Sequence, residues 1–171
     1  CKTLNNENIE LLANIEVPSD IKSVKENGAS GIGLFRTEFL FMNRKELPNE
    51  EEQFEIYKSV VKSMSGKTVV IRTLDSGADK LTSADTTISS NPALGLRAIR
   101  LCLSEPQLFN IQLRAILRAS HLGKIKILIP MLSSLSELRQ TKLLIERAKK
   151  SLRNEKIPYN RYIKIGGMIE V

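Results

Sequence analysis

Residues 31–72, GIGLFRTEFLFMNRKELPNEEEQFEIYKSVVKSMSGKTVVIR, contain the alternation that decides the fold class. The stretch begins and ends with two short apolar runs, Gly31–Phe35 and Thr68–Arg72, which are nearly continuous and therefore typical of strands buried on both faces. Between them, Asn49 is a predicted N-cap, and the three glutamates after it favour the first turn of an amphipathic helix. This order predicts parallel strands, because parallel neighbours need a long crossover connection.

The same alternation continues toward both ends of the chain. Three further apolar runs are predicted strands: Ile9–Ile15, Ile125–Ile129 and Ile163–Ile169. Three further segments have helical patterns: Ser19–Asn27, Gln107–His121 and a helix opened by the capping box Ser134–Glu137, with Leu135, Leu138, Ile145 and Leu152 on its core face. The sequence therefore predicts an α/β fold with a parallel sheet.

Periodicity leaves open whether this sheet is open or closed into a barrel. An eight-stranded barrel typically takes about 250 residues, so a barrel built from about five strands would be incomplete. A polar connection, Asp75–Asn91, interrupts the pattern, and a stretch of this kind is usually either functional or disordered.

The composition is that of one globular domain. The chain has 171 residues, of which 42% are apolar and 26% charged, and this excludes a disordered, collagen-like or disulfide-stapled chain. Its apolar runs are shorter than the roughly 18 residues of a membrane helix, and we see no signal segment. Two cysteines are too few for a disulfide framework, so we expect a cytoplasmic chain with no membrane partner. Cys1, where a native chain would begin with methionine, indicates an excised or processed piece.

The charge is unevenly distributed. Residues 1–85 carry 11 basic and 14 acidic groups, whereas residues 86–171 carry 15 basic and 5 acidic groups. The basic half makes a nucleic-acid-binding module an alternative function of a different class. We instead expect a solvated helix face and no nucleic-acid partner, because no aromatic residues are interleaved with the basic side chains of the last predicted helix. The basic residues of that helix are Arg139, Lys142, Arg147, Lys149, Lys150 and Arg153.

Charged residues follow the predicted strands at their carboxyl ends, where parallel α/β folds bind ligands. The second strand leads into Arg36, the third ends at Arg72, and the fifth ends at Glu170. Two guanidinium groups within about 6 Å would repel by roughly 2–3 kcal/mol at an effective dielectric near 20, so their convergence indicates a bound phosphate or carboxylate. The alternative for each arginine is a strand-end salt bridge to Glu38 or Asp75.

Glu170 has two possible roles at this edge of the sheet. It is a candidate Mg²⁺ ligand, because Mg²⁺ takes only one or two carboxylates in addition to water and substrate oxygens. Alternatively, its carboxylate neutralises a nearby arginine.

Several segments together resemble a known family. They are GIGLFRTEFLFMNRKELPNEEEQF, VVIRTLDSGADK, NPALGLRAIR, RAILRAS, KIKILIPM and IKIGGMIE. In this order, across nearly the whole chain, they resemble the phosphoenolpyruvate (PEP)-binding barrel of the enzyme I family of the bacterial sugar phosphotransferase system. Pyruvate phosphate dikinase and PEP synthase share the R-T-E and N-P-x-L-G-x-R segments and are the alternative, but FLFMNR-x-x-LP-x-EEEQF is more similar to enzyme I.

The resemblance implies a substrate, a metal and partners. Arg36, Arg72 and Arg97 would bind the phosphate of PEP, and Glu170 would be one of two acidic Mg²⁺ ligands. In this family, phosphate passes from PEP to a histidine on a separate N-terminal domain and then to the carrier protein HPr. The family also implies a homodimer.

Two departures from the family pattern limit what the resemblance implies. The loop Leu81–Ser90 differs from the family, and the chain ends before the expected asparagine-aspartate pair, a further arginine and a cysteine that protonates the enolate. We therefore expect residues 1–171 to be the first portion of a (β/α)₈ PEP-binding domain, without the phosphohistidine and HPr-binding domains. This piece would contain no catalytic residue, be inactive alone and self-associate through its unpaired strand edges.

Overall fold

A computed structural model of the chain describes residues 2–42, 44, 46–77 and 95–171. Within them are five strands and five helices, and at least one helix lies between each strand and the next. The strands are β1 (Leu12–Ile15), β2 (Gly31–Phe35), β3 (Val69–Arg72), β4 (Ile125–Ile129) and β5 (Lys164–Gly167). The helices are α1 (Ile21–Glu26), α2 (Glu50–Ser63), α3 (Ala98–Ser104), α4 (Pro106–Ala119) and α5 (Leu135–Asn154), with short 3₁₀ turns at Pro18–Asp20 and Glu38–Leu40. The polar stretch 78–91 and the loop Leu81–Ser90 lie outside the described residues, as does Cys1.

The five described strands form one open parallel sheet in the order β1-β2-β3-β4-β5. The predicted α/β class is therefore confirmed. Parallel crossovers are almost always right-handed, so a sheet whose strands follow chain order carries its helices on one face. The pairing shifts register within β1–β2 and again within β2–β3, and such irregularities bend and twist a sheet.

Burial on both faces, which the apolar runs predict, is wrong for β4 and β5. In β4, Ile125, Ile127 and Ile129 are buried, whereas Lys126 between them is exposed. Three of the four residues of β5 are exposed as well. The physical reason is that the described helices cover only one face of the sheet, so alternate side chains of these strands point to the uncovered face.

Both predicted capping residues begin helices. The Asn49 side chain accepts a hydrogen bond from Glu52 N at 2.9 Å, and the Glu52 carboxylate accepts one from Asn49 N at 2.9 Å. Ser134 and Glu137 form the same reciprocal arrangement at the start of α5. These capping boxes satisfy backbone donors that the first helical turn leaves without partners.

The predicted helix Ser19–Asn27 is divided in the structure into the 3₁₀ turn and α1, and it ends before Gly28, whose φ is +69°. The predicted core face of α5 is correct for Ile145 and Leu152, both fully buried, and Leu138 is half-buried. It is wrong for Leu135, which is 59% exposed because it is the first residue of the helix.

The core lies between the sheet and α4. Phe109, Leu113, Ile116 and Leu117 of α4 are fully buried and belong to one hydrophobic cluster with the covered face of the sheet. The basic side chains of α5 lie on its solvent face as predicted, except that of Lys149, which is 13% exposed. Among the described residues, no helix has both the length and the apolar content needed to cross a membrane. All five strands present their carboxyl ends at the same edge of the sheet.

Candidate functional site

Arg36 lies directly after β2. Its backbone N–H donates to the Ile15 carbonyl at 3.0 Å and thereby continues the β1–β2 ladder. Its guanidinium pairs with Glu16, the residue after β1. The two side chains are 39% and 59% exposed, so this pair remains in contact with water and contributes little to stability.

Arg72 is the last residue of β3 and is more deeply buried, with a side chain that is 12% exposed. Its terminal nitrogens lie 3.1 Å from Glu38 Oε1 and 3.2 Å from Asp75 Oδ2. Arg72 thus forms both strand-end salt bridges that the sequence offers as the alternative to an anion site. Because Phe35 and Ile71 are paired in register, Arg36 and Arg72 follow at the same level of neighbouring strands.

Asp75 joins two of the predicted arginines. While one of its oxygens contacts Arg72, its Oδ1 lies 2.8 Å from a terminal nitrogen of Arg97, the residue that precedes α3. The backbone N–H of Asp75 also donates to Glu38 Oε1 at 2.9 Å. The structure therefore brings Arg72 and Arg97 together around a single carboxylate.

One guanidinium nitrogen of each predicted arginine has no hydrogen-bond partner in the described part of the chain. The Nε atoms of Arg36, Arg72 and Arg97 are buried and have no hydrogen-bond partner among the described residues. Buried N–H groups are almost always hydrogen-bonded, so three orphaned donors at one edge of a sheet mark a place where acceptors are lacking. The hydroxyl of Thr73, next to Arg72, is a further orphaned polar group there.

Glu170 lies beyond the end of β5, where it contacts the end of β4. Its Oε1 accepts a hydrogen bond from the Met131 backbone N–H at 2.9 Å. Gly166 is level with Leu128, which is level with Arg72, so Glu170 is four residues beyond the level of Arg72 and two strands away. Within the described part of the chain, the contact of Glu170 is with the β4 end rather than with an arginine.

The backbone is strained at two points of this edge. Met131, two residues after the end of β4, has φ +55°, and Ala98, directly after Arg97, has φ +51°. Both residues are buried. Left-handed conformations of residues other than glycine cost free energy and persist where the surroundings hold them in place.

The donor set is compatible with Mg²⁺ but does not form a metal cage. No group of three or more His, Cys, Asp or Glu side chains within reach of one ion occurs among the described residues. Glu170 fits a single-carboxylate role, because Mg²⁺ is commonly held by one or two carboxylates with substrate oxygens and water completing the shell.

Sequence reasoning missed two groups of this site. Glu16 follows β1 as Arg36 follows β2, so the same strand-end rule would have found it. Gln112 lies on α4, under the ends of β2 and β3, and is only 1% exposed. A lone polar residue in an apolar helix carries no sequence signal that separates it from a solvent-facing one.

The chain is similar to proteins that are already known. A family model described as "PEP-utilising enzyme, PEP-binding domain" matches residues 1–171. A phosphoenolpyruvate-protein phosphotransferase of Staphylococcus carnosus is 51% identical over 170 residues, which is 99% of this chain and 30% of the relative. Proteins of the same name from Staphylococcus aureus and Priestia megaterium are each 49% identical, over 170 and 164 residues, and this chain covers 30% and 29% of their lengths. The chain therefore spans about 30% of the length of the curated relatives that it matches.

Proposed function

This chain belongs to the family of PEP-binding domains of PEP-utilising enzymes, and we propose that its strand-end arginines bind the phosphate group of PEP. The observation that carries the proposal concerns the buried Nε–H donors of Arg36, Arg72 and Arg97, which have no hydrogen-bond partner in the described part of the chain. A buried donor without a partner costs about 1–3 kcal/mol. Phosphate oxygens would remove this cost by accepting charge-assisted hydrogen bonds.

The acidic neighbours favour a strongly charged ligand. Glu16, Glu38 and Asp75 already neutralise the three arginines pairwise, so a weakly charged anion gains little from the same guanidinium groups. A phosphate dianion presents several acceptor oxygens at once and matches the planar donor geometry of arginine.

We propose that the whole protein is a phosphoenolpyruvate-protein phosphotransferase. It would move phosphate from PEP to a histidine on another domain and then to HPr, starting sugar uptake. The phosphorus–oxygen bond of PEP breaks, a phosphorus–nitrogen bond forms at the histidine, and the enolate of pyruvate leaves. The names of the relatives support this assignment. In this scheme the arginines of this chain hold the phosphoryl group and balance its charge, which is the main contribution a protein makes to such a step. We assign no catalytic residue within residues 1–171 and expect this piece alone to be inactive.

We propose that Mg²⁺ is held in part by Glu170. When bound, the ion supplies positive charge next to the transferring phosphoryl group. The carboxylate of Glu170 is oriented by its hydrogen bond from Met131, whose strained backbone directs that N–H toward it.

We propose that residues 1–171 are the first portion of a (β/α)₈ barrel domain. Strand order that follows the chain supports this, because doubly wound sheets reverse their order at a switch point. The exposed inner residues of β4 and β5 and the register shifts that bend the sheet also fit a barrel wall. Among the described strands, the outer edges of β1 and β5 are unpaired, and such edges favour association. We propose a homodimer in the cytoplasm, where HPr would be the acceptor.

Calorimetry of PEP with Mg²⁺ tests the phosphate site. Arg72→Ala should weaken binding by about 2–5 kcal/mol, because it removes a buried charged donor, and Arg36→Ala should weaken it less because that side chain is more exposed. Arg153→Ala, which alters an exposed arginine on α5, is the matched control and should leave affinity unchanged. Unchanged affinity in both site variants would end the assignment.

A chimera tests the whole reaction. This chain would replace the matching 170-residue segment of the Staphylococcus carnosus relative, and transfer of phosphate from PEP to HPr would be measured. We expect transfer by the chimera and its loss in the same chimera with Arg72→Ala. Binding of PEP without HPr phosphorylation would favour the dikinase or synthase reaction instead.

A further inference from the structure

A buried polar network lies beneath the strand ends that carry Arg36 and Arg72, and Gln112 of α4 is its centre. Gln112 Nε2 donates to Thr37 Oγ1 at 3.1 Å and to the Tyr57 hydroxyl at 3.2 Å. Its Oε1 accepts a hydrogen bond from Leu74 N at 2.9 Å. Three of the four hydrogen-bonding positions of this amide are therefore filled by partners that are themselves buried.

The network is continuous on the helix side. Tyr57 donates its hydroxyl proton to Gln53 Oε1 at 3.1 Å, and Gln53 Nε2 donates to the Pro48 carbonyl at 3.1 Å. Burial raises the pKa of Tyr57, so the hydroxyl keeps the proton that it donates. Because each donor has an acceptor, the network fixes the rotamer of Gln112 instead of leaving it free to turn.

On the sheet side, the network joins two strand ends. Thr37, which accepts from Gln112, donates its hydroxyl proton to the Arg72 carbonyl at 2.9 Å. Thr37 directly follows Arg36, so this bridge ties the residue after one arginine to the backbone of the other.

The second arm of Gln112 acts through Leu74. Its bond to Leu74 N fixes the backbone just before Asp75, the carboxylate that contacts both Arg72 and Arg97. Gln112 thus restrains the backbone beside Arg36 and Arg72, and it reaches Arg97 only through Asp75, whose carboxylate contacts that arginine. No contact to a guanidinium group is among its described hydrogen bonds.

We infer that Gln112 is a positioning residue that holds Arg36, Arg72 and Arg97 at the spacing needed for one phosphate. This inference rests on the proposed function, because it names the phosphate of PEP as the group that the arginines are spaced to bind. Side chains that are held in place before the ligand arrives bind it more tightly, because no entropy is lost on ordering them during binding.

The experiment compares two network variants with a core control. Gln112→Met removes the amide group but keeps a side chain of similar length. Thr37→Val removes the hydroxyl that bridges Gln112 and the Arg72 carbonyl, and it provides the test if Gln112→Met does not fold. Leu113→Ala, at the next position of α4, opens a core cavity without removing a side-chain hydrogen bond. It is the control for effects that come from a lower stability of the fold alone. Two quantities are measured in each variant: the exchange of arginine Nε–H protons with water by NMR, and the dissociation constant of PEP with Mg²⁺ by calorimetry.

We expect the buried Nε–H of Arg72 to exchange roughly tenfold faster in the network variants than in Leu113→Ala, and PEP to bind roughly tenfold more weakly. Exchange or PEP affinity within a factor of about two of the Leu113→Ala value would overturn the inference. If the chimera described above, with this chain unsubstituted, does not bind PEP, the proposed function of this chain fails. The exchange rates alone then decide whether Gln112 positions the arginines.

Discussion

Arg114 is the residue whose loss we expect to damage the helical layer most. Its side chain is 11% exposed, and it joins three helices. From the middle of α4, its Nε donates to Glu50 Oε2 of α2 at 2.5 Å, and its terminal nitrogens donate to Ser151 Oγ and Glu155 Oε2 at the end of α5, at 2.5 and 2.8 Å. Arg114→Ala removes all of these contacts at once.

The structure sets the size of the effect. Removing one partner of a buried ion pair costs about 3–5 kcal/mol when the other charge stays buried. Here Glu50 keeps a second partner, Arg118, at 2.8 Å, and the Glu155 side chain is 47% exposed and regains water. We therefore expect the lower end, a loss of about 3 kcal/mol in the free energy of unfolding. For a chain of this length, that loss lowers the melting temperature by about 6–12 °C.

Urea unfolding followed by circular dichroism measures this loss. Arg153→Ala on the exposed face of α5 is the control, and it should change the free energy of unfolding by no more than about 0.5 kcal/mol. A loss below about 1 kcal/mol for Arg114→Ala, with an unchanged dependence on urea, would refute the reasoning, since exposed ion pairs already contribute that much.

Three further predictions concern pH, a glycine and a helix cap. Arg114, more than any other group, lowers the pKa of Glu155 from 4.5 to about 2, so the contribution of this carboxylate is complete above about pH 4.5 and is lost as the pH falls toward 2. The urea midpoint should fall across that range, and less steeply in Arg114→Ala; parallel curves would contradict the linkage. Gly31→Ala places a methyl group 2.6 Å from a backbone carbonyl and should cost about 1–3 kcal/mol in urea unfolding, whereas Gly166→Ala, with its nearest atom at 3.5 Å, should cost less. Asn49→Ala should lower the free energy of unfolding by about 1 kcal/mol and Asn49→Ser by much less, and equal losses in thermal melts would show that the side-chain cap is not the cause.

The sequence predicts the strands best where local signals and burial agree. Gly31–Phe35 and Ile125–Ile129 are strands over those same residues, because each is a nearly continuous apolar run whose covered side chains meet the helices. The run Ile9–Ile15 is a strand only from Leu12 onward. β1 is at the edge of the sheet and pairs only with β2, so hydrophobicity alone could not show at which residue this pairing begins.

Some features of the candidate site could likewise be predicted from the sequence, and others could not. Arg36 and Arg72 follow from the rule that parallel strands end at one edge, which requires only the positions of the strands. That Asp75 sits between Arg72 and Arg97 depends on a backbone path across many residues, and sequence spacing does not contain it. The role of Gln112 depends on which side of α4 faces the strand ends, and this is a property of helix packing rather than of any local pattern.

Under the proposed function, the carboxylate that Arg72 and Arg97 share would make anion binding an exchange of one acceptor for another. An arriving anion that uses the same guanidinium nitrogens has to replace Asp75, so its net gain is the difference between two contacts and not the sum of new ones. A singly charged solute such as chloride or acetate would carry no more charge than the Asp75 carboxylate and would gain little from the exchange. An anion with more than one negative charge would displace the carboxylate more favourably, so this edge of the sheet would select for dianions.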